Sequence, residues 1–161
     1  MKKKFISRTP WREKIAKPQD VKIVKIPPKM SRFGSGTMLI PTPKLIDEMI
    51  RKVPKGKLVT VSELRRKLAH DFRTDVTCPL TTGIFVRIAA EAAEEDRANG
   101  KKRIAPYWRV IKDDGSMNPK FPGGIAQQTR YLRSEGFAIV KSGKKQPVVK
   151  DFEQRLFRFD L

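Results

Sequence analysis

Apolar residues begin to recur at helical spacing only at Leu45, and that onset limits where a core can be built. Between Lys44 and Val53 they fall at Leu45, Ile46, Met49, Ile50 and Val53, with Pro43 just ahead, the pattern of an amphipathic helix opening on a proline. Residues 1–42 show no such period. Pro10, Pro18, Pro27, Pro28 and Pro41 interrupt any long helix. Eleven basic residues (Lys2, Lys3, Lys4, Arg8, Arg12, Lys14, Lys17, Lys22, Lys25, Lys29 and Arg32) face only Glu13 and Asp20 there. Residues 1–42 therefore read as a basic, proline-containing arm, flexible in part, with Val21–Ile26 as a short strand or an extended docking segment. Folded structure is expected from Thr42 and Pro43 onward.

Charge points to a class of partner. Lys and Arg number 36 against 17 Asp and Glu, a formal +19 over 161 residues. A chain this basic favours polyanions, since each neutralised phosphate releases condensed counterions. Cys78 and His70 are the only cysteine and histidine. An internal disulfide and a cysteine/histidine zinc site both fail on supply. No apolar run is long enough to span a bilayer, and Lys2–Lys4 lead into Phe5-Ile6-Ser7-Arg8 rather than an apolar signal core. A cytoplasmic protein with no cofactor and no membrane partner is expected.

Beyond the first helix, Pro54-Lys55-Gly56-Lys57 is a turn and Leu58–Val61 a brief extended piece. Ser62 is expected to cap a helix running to Phe72, with Leu64, Leu68 and Phe72 on one face. A loop through Pro79 leads to a second helix over 83–97, burying Ile84 or Phe85, Ile88, Ala89 and Ala92. This succession fits a helix-turn-helix. Asn99-Gly100 and Asp113-Asp114-Gly115 break the chain, and Gly123-Gly124 opens a third helix that Gly136 ends. Residues 138–161 predict either two strands around Ser142-Gly143-Lys144-Lys145 or one strand and a docking tail.

Three segments carry a resemblance. Val53-Pro54-Lys55-Gly56-Lys57-Leu58-Val59-Thr60, Pro106-Tyr107-Trp108-Arg109-Val110 and Gly123-Gly124 through Glu135-Gly136 occur in order. They resemble the alkylguanine-DNA alkyltransferases, whose signature runs P-C-H-R-V, then a G-G pair opening a helix, then E-G. The resemblance covers residues 43–137. It implies an α+β, winged helix-turn-helix domain like the alkyltransferase C-terminal domain, here with a basic N-terminal arm and a C-terminal extension over 138–161. The family's separate N-terminal domain is not expected in an arm so short and rich in proline.

The family's chemistry does not carry over. Its acceptor cysteine falls at Tyr107 and its activating histidine at Trp108, which leaves Glu135 with no imidazole to orient. A phenol near pKa 10 is a poor nucleophile without a base, and an indole N–H only donates. Tyr107, Trp108, Arg109 and Glu135 are thus degenerate active-site positions, and no catalytic residue is assigned. Cys78, with no adjacent base, reads as a small apolar packing residue. Val61 stands where the family has its nucleotide-rotating tyrosine, and Thr82 or Gly83 where it has the arginine that fills the flipped base's place. Tyr107 and Trp108 either line a base-sized pocket, as in the cysteine-free alkyltransferase-like proteins, or plug a closed one.

Candidate nucleic-acid contacts are Arg65, Arg66 and Lys67 on the first helix of the pair, Thr81, Thr82 and Arg87 on the second, and Lys101, Lys102 and Arg103 beyond it. Glu91, Glu94, Glu95 and Asp96 are expected to turn the far half of the second helix away from phosphate. A non-catalytic protein of double-stranded DNA follows; the alternatives are an alkylated-base sensor in DNA repair and an RNA- or ribosome-associated basic protein.

Overall fold

A computed structural model describes residues 9–160. Lys2–Lys4 and Arg8 of the expected arm lie outside the described residues. The elements in order are α1 (Trp11–Ala16), β1 (Lys22–Lys25), β2 (Thr37–Ile40), α2 (Pro43–Arg51), β3 (Val59–Thr60), α3 (Val61–Asp71), β4 (Val76–Thr77), α4 (Pro79–Ala98), β5 (Val110–Ile111), α5 (Gly124–Ser134), β6 (Ile139–Val140) and β7 (Val148–Val149). The expected mixed α+β architecture is present. Short 3-10 helices stand at Pro28–Phe33, Tyr107–Arg109 and Phe152–Arg155.

The helix starts follow local chemistry. Thr42 caps α2 by accepting the Leu45 N–H (3.3 Å), ahead of Pro43, whose missing N–H costs nothing in the first turn. Thr60, rather than Ser62, caps α3 by accepting the Glu63 N–H (3.2 Å). Four residues earlier than expected, α4 begins at Pro79. Its buried face runs through Thr82, Val86, Ala89, Ala90, Ala92, Ala93 and Asp96, while Ile84 is exposed. A left-handed Gly123 (φ +72°) precedes α5, a conformation a side chain at that position would resist.

Three small sheets tie these helices together. β2 pairs antiparallel with β1 and parallel with β4, β3 pairs parallel with β5, and β6 pairs antiparallel with β7. The last pair, Ile139 opposite Val149, is the hairpin expected around Ser142–Lys145.

The expected boundary at residues 42 and 43 is corrected: the body takes in the chain from Trp11. Ile15 is buried against the core and so are Met38 and Leu39. The Trp11 and Arg12 N–H groups donate to Glu95 (2.9 and 3.0 Å), and the Arg12 guanidinium reaches Asp96 at 2.6 Å and Asp47 at 3.5 Å. The charge of Arg12 is thereby spent on internal carboxylates. Two apolar clusters result. One joins α1 to α4 with Tyr107 and Phe121, the other holds Leu58, Ile111, Met117, Leu132, Phe137 and Val149, and Trp108 packs against both.

Candidate nucleic-acid interface

Residues 107–109 form one tight turn between α4 and β5, so consecutive side chains point to different surroundings. Tyr107 goes inward and is fully buried. Its hydroxyl donates to Glu94 Oε1 (2.8 Å) and accepts from Gln127 Nε2 (3.0 Å). The ring meets Trp108, Phe121 and Tyr131 edge-on, with centroids 5.5, 5.4 and 6.4 Å away. Burial pushes the phenol pKa far above its usual value, and Glu94 adds to the rise. Such a group offers neither a nucleophile nor a face to an incoming base. Of the two readings of the Tyr107–Trp108 pair, the open pocket is therefore excluded for Tyr107.

Trp108 is only half-buried. Its indole N–H donates to Glu135 Oε2 at 2.6 Å, so the carboxylate orients an indole where the resemblance puts an imidazole. Arg109 meets the same carboxylate through Nε (2.9 Å to Oε1) and Nη2 (3.1 Å to Oε2), and its Nη1 donates to the Val53 carbonyl (2.6 Å). The Gly56 N–H completes the set (3.3 Å). Burial works against the charged form of Glu135, but these four donors outweigh it and hold its pKa below the usual range. Glu135 is thus a structural anion that ties the turn after α2 to the turn holding Trp108. It has no free lone pair aimed at a substrate.

Behind this turn, Gln128 of α5 is fully buried. Its amide donates to the Trp108 and Val110 carbonyls (3.1 and 2.9 Å) and accepts from the Asn118 N–H (2.9 Å). One side chain thereby fixes the loop before α5 against the Tyr107–Arg109 turn.

The nine expected nucleic-acid residues separate into three groups. Arg65 donates to the Thr77 carbonyl, Arg66 forks onto Glu63 (2.7 and 2.6 Å), and Lys67 reaches the Asp160 carbonyl (2.6 Å) and Asp71 (3.0 Å). These three hold the fold together, because the chain's last residues return to α3. Phe159 donates its N–H to Glu63 at 3.0 Å. Thr82 is corrected as well: it is fully buried and donates to the Cys78 carbonyl (2.7 Å), closing the first turn of α4. Thr81 and Arg87 are half-buried on the leading half of α4, and Arg87 Nε meets no acceptor among the described residues.

Lys101, Lys102 and Arg103 are exposed and share the rim of an open cleft of about 590 Å³ with Arg51, Arg97, Trp108, Arg109 and Tyr131. Sequence reasoning missed Arg51, Arg97 and Tyr131. Tyr131 lies inside the quoted final motif, but nothing local shows that its ring meets Trp108 at 5.0 Å. Leu80 and Ile84 were missed too, at 63% and 57% exposure on the leading end of α4. Their spacing of four is a helical stripe, and only the true start at Pro79 shows that it faces outward. In the expected acidic far half of α4, Asp96 is buried and Glu94 and Glu95 are half-buried and engaged: Glu94 accepts from Tyr107 and Tyr131, and Glu95 and Asp96 from α1. Among the described residues no cluster of His, Cys, Asp and Glu is placed to hold a metal ion.

The paired helices α3 and α4, the parallel β3–β5 link and the hairpin behind α5 define a winged helix-turn-helix scaffold of the alkyltransferase-like type. Solved structures that share it include two of yeast proteins bound to DNA. One is S. pombe Atl1 in complex with damaged DNA containing O6-carboxymethylguanine, at 15% identity and a TM-score of 0.50. The other is S. pombe ATL in complex with DNA, at 16% identity and a TM-score of 0.53. Each comparison covers 72% of this chain and 94% of the other. No family model and no curated protein matches the chain. At these identities the likeness establishes the fold.

Proposed function

We propose that this chain is a non-catalytic DNA-binding protein on an alkyltransferase-like scaffold, held to duplex DNA mainly through phosphate contacts. The observation that carries the reading is the acceptor position. Tyr107 fills it, buried and hydrogen-bonded at both ends of its hydroxyl, so the scaffold lacks a nucleophile and has no room there for a flipped base. A formal +19 supports a polyanionic partner, and both structures of the same fold hold DNA. The leading end of α4 would meet the duplex, with its first-turn N–H groups and Arg87 towards phosphate and Leu80 and Ile84 against the groove.

Fluorescence anisotropy tests this with one duplex, plain and carrying a single O-alkylated guanine, at two salt concentrations. Equal affinity for both duplexes, falling steeply as salt rises, is the expected result. Binding that ignores salt, or no binding, overturns it. Preference for the damaged duplex would instead favour an alkylated-base sensor.

A further inference from the structure

We propose a second ligand site, separate from the helix-turn-helix: the cleft beside Trp108 binds an unpaired nucleotide, its base on the Trp108–Tyr131 aromatic pair and its phosphate on Lys102 and Arg103. The cleft lies at the trailing end of α4, next to Arg97. Leu80 is seventeen residues earlier on the same helix, about 25 Å away at 1.5 Å per residue. A duplex seated on the leading end therefore leaves this cleft free.

Three observations define the ligand. First, the cations are unevenly committed. Arg51 faces Asp47 and Asp96, Arg97 faces Glu94, Lys101 faces Asp96 and Arg109 faces Glu135. Lys102 and Arg103 make no hydrogen bond or ion pair among the described residues, so two adjacent positive charges stand uncompensated on the rim, a match for one phosphate. Second, the aromatic surface is preorganised. The Trp108 indole is pinned through its N–H to Glu135, and Tyr131 lies at 5.0 Å with its plane tilted 52°. The Arg97 guanidinium stands 4.7 Å from the Tyr131 ring, adding a planar cation on which a base also stacks. Third, about 590 Å³ is a volume in the usual range for small organic ligands.

An acidic peptide would satisfy the two cations but would leave the rings unused. A paired base cannot enter, because both its faces are covered by its neighbours in the stack. An unpaired nucleotide satisfies both halves of the cleft. It has two sources of one chemistry, a single strand or a free mononucleotide.

The test uses the intrinsic fluorescence of Trp108. Trp11 is the chain's other tryptophan, and Trp11→Phe leaves one reporter while keeping the backbone bonds of α1. Quenching is followed on titration with oligo(dT) and, separately, with AMP. Saturable quenching by oligo(dT) is expected, weakened about tenfold or more in Lys102→Glu/Arg103→Glu, two exposed positions whose exchange leaves the core intact. Equal quenching by AMP would identify a free mononucleotide as a ligand of the same site; quenching by oligo(dT) alone would identify a strand. Absence of quenching by either overturns the proposal. So does quenching unchanged in the double variant, or reproduced by an inorganic polyphosphate without bases. Duplex anisotropy on the same samples separates the two sites: intact duplex affinity with no quenching defeats the cleft alone.

Discussion

Replacing Glu135 with glutamine should cost far more than one hydrogen bond, and the reason is geometric. Both carboxylate oxygens are crowded with donors: Oε1 accepts from Arg109 Nε and the Gly56 N–H, and Oε2 from Trp108 Nε1, Arg109 Nη2 and, at 3.2 Å, Arg109 Nε. An amide has one oxygen. Turned one way, its NH2 faces the Trp108 and Arg109 Nη2 donors; turned the other, it faces the Gly56 N–H and the shorter of the two Arg109 Nε contacts. Arg109, whose side chain is 13% exposed, also loses its counter-ion. Breaking a well-buried pair costs about 3–5 kcal/mol, and the residual exposure here argues for the lower end, about 3 kcal/mol. At ~2–4 °C per kcal/mol for a chain of this size, the melting temperature should fall by about 6–12 °C at pH 7. The penalty should also depend on pH. Because the folded-state pKa of Glu135 lies below its ordinary 4.5, the carboxylate stabilises fully above that value. Its contribution is lost as pH falls through the folded value, so the gap between wild type and Glu135→Gln should narrow in acid. Calorimetry at pH 7 and at pH 3 measures both. A loss under about 1 kcal/mol, or an equal loss at the two pH values, would refute this account of the anion.

Gln128→Ala strands the Trp108 and Val110 carbonyls and the Asn118 N–H, and should cost about 2–4 kcal/mol, read as a lower urea midpoint at unchanged m-value. Burial raises the pKa of both tyrosines, Tyr107 and Tyr131, so phenolate absorbance at pH 10 should be lower in the folded protein than in the unfolded chain. Stability should then decline as pH climbs past 10, since the unfolded chain releases those protons more readily; equal absorbance with intact circular dichroism would contradict it. Gly115 has φ +85° and lies against the Phe152 ring, so Gly115→Ala should destabilise by more than about 1 kcal/mol in thermal melts.

Much of the scaffold was legible because it is written locally. The Leu45–Val53 period, the paired glycines before α5 and the turn residues at 142–145 each specify their own element, whereas the cap of α3 falls on Thr60 and not on the Ser62 that local spacing suggested. α1 was not legible: its six residues are too few to show a period, and its partners Glu95 and Asp96 lie more than eighty residues on. The same cause hid the employment of Arg66 and Lys67, whose acceptors include the carbonyls of Phe159 and Asp160. Local spacing shows that a cation is present and says nothing about a carboxylate or carbonyl brought up from the far end. The divergence of Tyr107 and Trp108, one ring into the core and the next to a cleft, needed the turn at 107–109.

The docking of α1 on the end of α4 also sets an order of assembly during synthesis. Arg12 leaves the ribosome some 84 residues ahead of Asp96, a wait of about 4–17 s at ordinary elongation rates. Until then Trp11 and Ile15 have no groove to enter, and α2, which also packs on α4, lacks its main partner, while α3 already has β2, β3 and β4 beside it. Helices α1 and α2 therefore close together over α4, and they are the pieces of the fold that any factor meeting the nascent chain would encounter still open.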